Sequence, residues 1–201
     1  MSRLYSHNLT ATLPSARFNR AFLTSVLNVL ISNCFKGLAM NFEFRIRQML
    51  PSDEGNLRRI VALSFSKFMG FFAVQSLLTE KGQVLVADIQ GSAIAFAKLI
   101  EFQISGGKYG CLLWIGVHPE FRRKGVAGAL TAEGIKLLKQ GGAKTVFAST
   151  QRRKTGALIV LERSGFRGVG FLELFRLFGW RILKFYRDIW LAPGEVVLMH
   201  D

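Results

Sequence analysis

The spacing of apolar residues changes between two periods along the chain, and each change marks the boundary of a predicted element. Residues 42–50 alternate apolar and charged side chains, which predicts a strand. Helical spacing follows over residues 51–65, where Ser52 is a candidate N-cap, and again over residues 67–80, which are rich in Phe. Two helices are therefore expected directly after the first strand.

Three consecutive strands are predicted next, at residues 83–89, 92–102 and 109–117. Short turns join them, and the turn at Gln90-Gly91 can adopt the positive φ angles that tight hairpins need. The three strands should therefore form an antiparallel meander.

The order of elements then changes to helix, strand and helix. Helical spacing over residues 124–140 is followed by a strand-like run at 144–150 and by a second helix at 155–164. Because a helical crossover joins strands 109–117 and 144–150, these two strands should be parallel neighbours. The expected class is α/β with a mixed sheet, in which an antiparallel meander adjoins one parallel pair and a last strand at 195–199.

The loop before the helix at 124–140 carries the first sign of chemistry. Arg122, Arg123 and Lys124 directly precede Gly125. The first N–H groups of a helix have no partner within it and lie at the positive end of its dipole, and glycine lets the backbone approach a ligand closely. The pattern predicts a phosphate-bearing ligand at the carboxyl end of a strand, and it fits nucleotides as well as cofactors.

The order of residues in this loop resembles the acyl-CoA signature of the GNAT acetyltransferase superfamily. That signature has Gln or Arg, two residues, Gly, one residue, and Gly or Ala; this chain has Arg-x-x-Gly-x-Ala at residues 122–127, after Val-x-Pro at 117–119. The helix that ends in Gly-Phe at 165–166 resembles the family's closing helix. The resemblance extends over residues 44–170 and includes a last strand.

The resemblance implies a GNAT-like acyl-CoA N-acyltransferase fold in which the parallel strands splay apart, with acetyl-CoA as acyl donor. Family members bind pantetheine between the parted strands and the cofactor phosphates at the basic loop. Carried over to this chain, the cofactor-binding positions are Ile115, Gly116, Val117, Arg122, Arg123, Lys124, Gly125, Val126 and Ala127. Gly116 is also expected to mark a bulge, because glycine inside a strand is typical of bulges. The two early helices would flank the acceptor site, although their aromatic residues could instead simply pack on the sheet.

Two side chains that many GNAT enzymes use for proton transfer are missing. Leu161 stands where the closing helix of the family carries Tyr, and Cys111 lies where other members carry Glu. Glu101 is the candidate base, acting through water, and Tyr186 is the candidate phenolic acid. His118 is interpreted as a surface residue of the turn. If no side chain serves, main-chain N–H groups and orientation of the reactants supply the acceleration.

Residues 171–190 form a wide apolar face with a polar strip of four cations and two acids. The pattern predicts an inserted amphipathic helix with a break at Gly179. Docking on the chain's own sheet is the preferred interpretation of the apolar face. A homodimer interface and a peripheral membrane contact are the alternatives. We further expect this segment to shape the acceptor end of the cleft or a partner contact rather than the CoA end.

The charge and composition of the chain are compatible with a GNAT-like, CoA-binding domain. The chain of 201 residues has a net charge of +14, but its basic residues are dense only at 122–124 and 152–154, where the resemblance places cofactor phosphates. No nucleic-acid partner and no metal site are therefore expected. A hydrophobic content of 50% excludes a disordered protein. Cys34 and Cys111 lie in apolar runs and are interpreted as core residues of a reducing, cytoplasmic compartment.

Residues 1–39 are predicted to be an N-terminal extension, and residues 40–201 the GNAT-like domain. The extension has four basic residues and no acid, which is typical of transit peptides, but Met40 is an equally suitable start. No run reaches the roughly 18 apolar residues of a spanning helix. The expected function is transfer of an acetyl group from acetyl-CoA to a primary amine of a small molecule or a protein. The alternative is a non-catalytic CoA-binding or membrane-surface module.

Overall fold

The computed structural model describes residues 42–79 and 81–201. Residues Glu43–Asp201 form one structural unit. The predicted extension 1–39 and Cys34 lie outside the described residues, so the domain boundary near residue 40 stays a prediction.

In the described part of the chain, seven strands form one sheet in the order β1-β2-β3-β4-β5-β7-β6. They are β1 (Arg45–Gln48), β2 (Gln83–Ile89), β3 (Ser92–Ile104), β4 (Gly107–Val117), β5 (Val146–Gln151), β6 (Arg167–Val169) and β7 (Glu195–His200). All neighbours are antiparallel except β4 and β5, which are parallel. This topology confirms the predicted α/β class. Strand β6 was not predicted, because three residues are too few to show an alternating pattern.

The described helices lie close to their predicted positions. They are α1 (Glu54–Ser64), α2 (Lys67–Leu78), α3 (Val126–Gln140), α4 (Thr155–Arg163), α5 (Phe171–Phe178) and α6 (Ile182–Asp188). Short 3-10 turns occur at Pro51–Asp53, Pro119–Phe121 and Gly179–Arg181. The predicted break at Gly179 is confirmed, since α5 ends there and α6 follows the 3-10 turn.

Two predicted helix starts are corrected. Helix α3 begins at Val126 rather than at Lys124, because Gly125 takes a left-handed conformation with φ 81° and forms the N-cap. Ser52 does not cap α1. The carboxylate of Asp53 instead accepts the backbone N–H of Leu50 at 2.8 Å, and a 3-10 turn precedes the helix.

Helix α3 covers one face of the sheet, with α4 beside it. Two glycines allow the close approach of α3: a Cβ on Gly110 of β4 would lie 2.9 Å from Leu138, and a Cβ on Gly134 of the helix would lie 2.8 Å from Leu112. We call this side the α3 face.

The other four helices pack on the opposite side, which we call the α6 face. Helices α1 and α2 cover one part of it, where Leu57, Ile60 and Ala73 are buried against Phe96 and Trp114. Helices α5 and α6 cover the other part through one apolar stripe, whose buried members are Leu174, Phe178, Ile182, Phe185 and Ile189. The preferred interpretation of segment 171–190, docking on the chain's own sheet, is therefore confirmed for this inner stripe.

A network of charged side chains joins β1, β2 and the start of α1. Arg47 donates to both carboxylate oxygens of Asp53, at 2.6 and 2.9 Å, and to Asp88 at 2.7 Å. Asp88 also accepts hydrogen bonds from Arg45 and from the Gly91 N–H. The hydrogen bonds from Arg47 lower the pKa of Asp53. Burial would raise the pKa of Asp88, but its hydrogen bonds outweigh burial and lower that pKa as well.

Candidate active site

The parallel strands β4 and β5 pair over only three positions and then part. The last paired residues are Leu112 and Ala148, whereas β4 continues to Val117 and β5 continues to Gln151. The rest of each strand therefore borders a wedge-shaped opening in the sheet. This opening is at the carboxyl ends of the strands, where ligands of α/β proteins commonly bind.

Main-chain donors of β4 point into this opening. The N–H of His118 donates to the carbonyl of Ile94 on β3. Because successive N–H groups of a strand point to opposite sides, the N–H of Val117 points toward β5, and so does that of Ile115 two residues earlier. Two of the three predicted β4 positions therefore offer donors to a ligand between the strands.

Gly116 does not mark a bulge, and that prediction is wrong. Gly116 pairs regularly with Phe96, while the extra residue is Leu113, opposite the step from Lys98 to Leu99. Glycine is needed at 116 for another reason, since a Cβ there would lie 2.5 Å from the ring of Phe96. The missing side chain lets Phe96 fill the core under the edge of the opening.

The basic loop has the shape of an anion site. Arg123 adopts φ 61°, which is uncommon for a residue with a side chain, and Gly125 adopts φ 81°. The carbonyl of Gly125 accepts the N–H of Ala129, so the earlier N–H groups of the first turn have no acceptor within the helix. A Cβ at Gly125 or Gly128 would meet no atom within 4 Å. The loop thus leaves space beside free main-chain donors.

The predicted phosphate ligand Arg122 is used to brace this loop. Its Nε donates to the carbonyl of Val117 at 3.1 Å, and its Nη2 donates to the carbonyl of Leu63 at 3.2 Å and to Ser64 Oγ at 3.3 Å. The guanidinium therefore ties the loop to the end of β4 and to the end of α1. Its positive charge remains near the loop, but its direction is fixed by the protein.

A contact between Lys154 and Phe65 connects the two borders of the opening. The Nζ of Lys154, just before α4, lies 5.1 Å from the centre of the Phe65 ring, just after α1. Phe65 in turn packs edge-on against Trp114 of β4, with 5.4 Å between ring centres. The contact brings a cation close to the end of the opening.

A carboxylate lies on the α6 face of the same opening. Ser149 is the first residue of β5 beyond the last paired position, and its Oγ donates to Glu195 Oε2 at 2.8 Å. The N–H of Ala192 donates to the same oxygen at 3.2 Å. Within the described residues, no Lys or Arg nitrogen lies within 4 Å of Glu195. Neutral donors therefore hold this carboxylate, and its charge is left for a ligand.

A family model described as the acetyltransferase (GNAT) family matches residues 55–166, which is more than half of the chain and includes the basic loop. The chain belongs to the GNAT acetyltransferase family. GNAT acetyltransferases use acetyl-CoA, and the open glycine loop, the free N–H groups and the parted strands fit that donor.

Solved structures agree with this assignment at the level of the fold. A GNAT-family protein from Desulfovibrio desulfuricans has a TM-score of 0.60 and 21% identity, over 79% of this chain and 99% of that chain. A Bacillus subtilis acetyltransferase in complex with CoA has a TM-score of 0.57 and 20% identity, over 79% and 99%. The ribosomal-protein-S18-alanine N-acetyltransferase from Escherichia coli has a TM-score of 0.55 and 18% identity, over 79% and 93%. No curated protein matches this chain.

The two catalytic residues predicted for this GNAT domain lie in different places. Glu101 on β3 pairs with Gly110, at the end of β4 that is still paired with β5; we call this the closed end of β4. Glu101 also forms an ion pair with Lys108 at 2.7 Å. Val117 lies seven positions after Gly110 on β4, which corresponds to roughly 20 Å. Tyr186 lies on α6 against the buried aromatic cluster, and burial raises its pKa. The structure brings Tyr186, but not Glu101, to the face on which Glu195 lies.

Three further sequence positions have structural roles. Leu161, at the family's Tyr position, is buried in α4. Cys111 is a buried free thiol whose pKa is raised by burial and by the charge of Glu195, as a core residue requires. His118 is largely buried, contrary to its interpretation as a surface residue, and its Nδ1 lies 3.8 Å from Glu120.

Two other properties concern the whole described region. None of the helices in residues 42–79 and 81–201 has the length and apolar character needed to cross a bilayer. In the same residues, no group of three or more His, Cys, Asp or Glu side chains is arranged to hold a metal ion.

Proposed function

We propose that this GNAT protein transfers the acetyl group of acetyl-CoA to a primary amine of a small molecule or a protein. The observation that carries the proposal is the opening between β4 and β5, which has an anion-binding loop beside it and the carboxylate of Glu195 on its α6 face. A thioester and an amine could therefore approach each other through the sheet from different sides. The reaction would take place in the cytoplasm, where the composition predicts this protein to be.

On the donor side, the CoA pyrophosphate is bound by the loop that runs from Arg122 to Ala127. The N–H groups at the start of α3 donate to its oxygens, and the charges of Arg123 and Lys124 add long-range attraction. Arg122 acts by holding the loop in place through Val117. The pantetheine arm then extends from the loop back along β4 and accepts the N–H of Val117.

On the acceptor side, Glu195 binds the substrate as an ammonium ion and accepts the proton that the amine must lose. The free amine nitrogen then forms a bond to the thioester carbonyl carbon. The Ile115 N–H, which lies deeper in the opening, donates to the carbonyl oxygen while it carries negative charge. As the carbon–sulfur bond breaks, the sulfur leaves as CoA thiolate and takes up a proton, for which the hydroxyl of Tyr186 is the candidate donor. The acylated nitrogen gives up its second proton, which passes through water to the Tyr186 phenolate, so that the amide, the CoA thiol and protonated Glu195 remain.

One observation favours a second candidate function, a CoA-binding module without acetyl transfer. Leu161 replaces the Tyr that many family members use as an acid, and a buried leucine cannot donate a proton. In that case Glu195 would have a structural role only, and the protein would bind CoA without releasing thiol from acetyl-CoA.

Thiol release from acetyl-CoA in the presence of a panel of primary amines separates the two functions. We expect release that depends on at least one amine and that falls with Glu195→Gln. Absence of release with every amine, together with intact CoA binding, would favour the binding module.

The donor side is tested separately by calorimetry with CoA. Gly125→Glu places a side chain and a negative charge where φ is positive and where the pyrophosphate should bind, so affinity should fall by about 100-fold or more. Arg152→Ala is the comparison, and its effect should be smaller because Arg152 lies after β5 rather than in the loop. Equal affinity of the Gly125→Glu protein and the parent would contradict the loop assignment.

A further inference from the structure

Helices α5 and α6 leave large apolar side chains on their outer side. The exposed fractions are 59% for Phe171, 72% for Leu172, 85% for Trp180 and 73% for Leu183. The ring of Phe175 contacts Phe171 at 6.0 Å and Trp180 at 5.6 Å, so the aromatic members form one continuous surface. We call these four exposed residues, together with Phe175, the outer apolar face.

The outer apolar face is not needed for the core. The inner stripe of the same helices already packs on the sheet, for example through Phe185, whose ring lies 4.8 Å from that of Phe147. Scattered exposed apolar residues are ordinary, but a continuous patch of this kind is typical of an interaction surface.

Positive charge accompanies this face. Four basic side chains are exposed on the same two helices and the 3-10 turn between them: Arg176, Arg181, Lys184 and Arg187. Of the two acids in the segment, Glu173 pairs with Arg167 outside it at 2.7 Å, and Asp188 pairs with Lys184 at 2.6 Å and with Arg187 at 3.4 Å, so one acid faces four cations. The surface therefore combines bulky apolar groups with an excess of cations.

This combination favours one kind of partner over the others. A second copy of the chain, docked through the same face, would bring like charges together, which opposes a symmetric dimer. A nucleic acid would pair with the cations but offers no apolar layer for Trp180 or Leu183. A bilayer with anionic lipids offers both, because lipid phosphates lie directly above an apolar layer.

We propose that the outer apolar face is a docking surface for an anionic lipid membrane. Trp180, Leu172 and Leu183 enter the boundary between headgroups and acyl chains, where Trp is commonly found. Arg176 and Arg187 extend to the lipid phosphates, while their aliphatic parts lie along the apolar layer. The protein attaches to the membrane surface and does not cross it.

The face is held rigidly, which lowers the cost of binding. Arg181 Nη1 donates to Ser105 Oγ at 3.1 Å, and Lys184 Nζ donates to the carbonyl of Gln103 at 3.0 Å. Both contacts fix the start of α6 to the hairpin between β3 and β4. Little side-chain and backbone ordering therefore remains to be done when the surface meets a bilayer.

Co-sedimentation of the full chain with vesicles tests the proposal. We expect binding to phosphatidylcholine vesicles that contain about 30% phosphatidylglycerol, weak binding to pure phosphatidylcholine, and release in about 0.5 M salt. The double variant Trp180→Ala/Leu183→Ala should reduce the partition coefficient by about tenfold or more. The matched control is Leu50→Ala/Ile159→Ala, which removes two exposed apolar side chains elsewhere and should bind like the parent.

A charge comparison separates this face from the general positive charge of the protein. Arg176→Glu/Arg187→Glu should weaken vesicle binding by about tenfold, whereas Arg58→Glu/Lys136→Glu changes the net charge equally on other helices and should have little effect. No binding of the parent to anionic vesicles would overturn the proposal. An equal loss of vesicle binding in both double charge variants would also overturn it. So would a dimer of the parent protein in sedimentation that the Trp180→Ala substitution dissociates.

Discussion

Two carboxylate sites in this protein differ in what surrounds them. Asp88 is buried among charged donors, with Arg47 at 2.7 Å and Arg45 at 3.0 Å. Among the described residues, Glu195 is held only by the Ser149 hydroxyl and the Ala192 backbone N–H. Both carboxylates are fixed in direction, but only the first is neutralised by the protein itself.

The difference indicates which site is available for chemistry. A carboxylate that is paired with guanidinium groups gains little from a further cation, and removing it leaves buried positive charge behind. A carboxylate with neutral donors keeps its attraction for an ammonium ion and can accept a proton from it. Asp88 is therefore assigned to stability, and Glu195 is the carboxylate that we propose for acetyl transfer.

The largest expected effect is that of Glu195→Gln on turnover. The amide keeps the shape and can still accept the Ser149 hydrogen bond, but it cannot take a proton. We expect kcat/KM to fall by about 100-fold or more, while the free energy of unfolding changes by less than about 1 kcal/mol. Amine-dependent thiol release and urea unfolding measure the two quantities. A variant with parental turnover would remove Glu195 from the mechanism.

Asp88→Asn should show the opposite pattern. It leaves Arg45 and part of Arg47 without their carboxylate partner, so we expect a loss of about 2 to 3 kcal/mol in the free energy of unfolding. CoA affinity and turnover of the folded fraction should stay within about twofold of the parent. Urea unfolding and calorimetry provide the measurements. A large loss of turnover at unchanged stability would show that the two sites are coupled.

Acid should remove the stability that the Arg47–Asp88 network contributes. The native pKa values of Asp53 and Asp88 are lowered, so their contribution to stability is complete above the pKa of an unfolded carboxyl, near 4. That contribution is lost as the pH falls through the native pKa values, because the unfolded chain then binds more protons.

Stability measured by urea unfolding at successive pH values checks this sign. We expect the free energy of unfolding of the parent to decline below about pH 5. The decline should be shallower in Asp88→Asn, because this variant already lacks the contribution of the ionised Asp88. Parallel curves for the two proteins would assign the acid sensitivity to other carboxyls.

The smallest expected effect is that of Glu101→Gln. Its ion pair with Lys108 is partly exposed, and such pairs contribute about 0 to 1 kcal/mol. Because Glu101 lies at the closed end of β4, turnover should stay within about twofold of the parent. A strong loss of turnover would restore the original prediction that Glu101 is the catalytic base.

Much of the fold could be predicted because its elements have regular spacing. The meander, the parallel pair and helix α3 all follow from apolar periods and from glycine turns such as Gln90-Gly91. The loop was predicted from chemistry that is local in sequence, since cations, Gly125 and the helix start are adjacent. Predictions of this kind need no knowledge of distant contacts.

The remaining features depend on contacts between distant parts of the chain. Ser149 and Glu195 are 46 positions apart, and only the placement of β7 beside β5 brings them together. Arg122 was expected to bind phosphate, but its guanidinium reaches back to Leu63 across 59 positions. A charged residue at the start of a last strand was the available signal for Glu195, but it indicates no partner without the strand order.

A crystal structure of the protein with CoA tests the central claim most directly, because the claim concerns where the donor thioester lies. We predict the pyrophosphate within hydrogen-bond distance of the N–H groups that follow Gly125, with pantetheine between β4 and β5 beyond Leu112 and Ala148. The sulfur should lie at the opening, with Glu195 on the α6 face of it. CoA bound elsewhere, or strands β4 and β5 paired along their full length around it, would contradict the account.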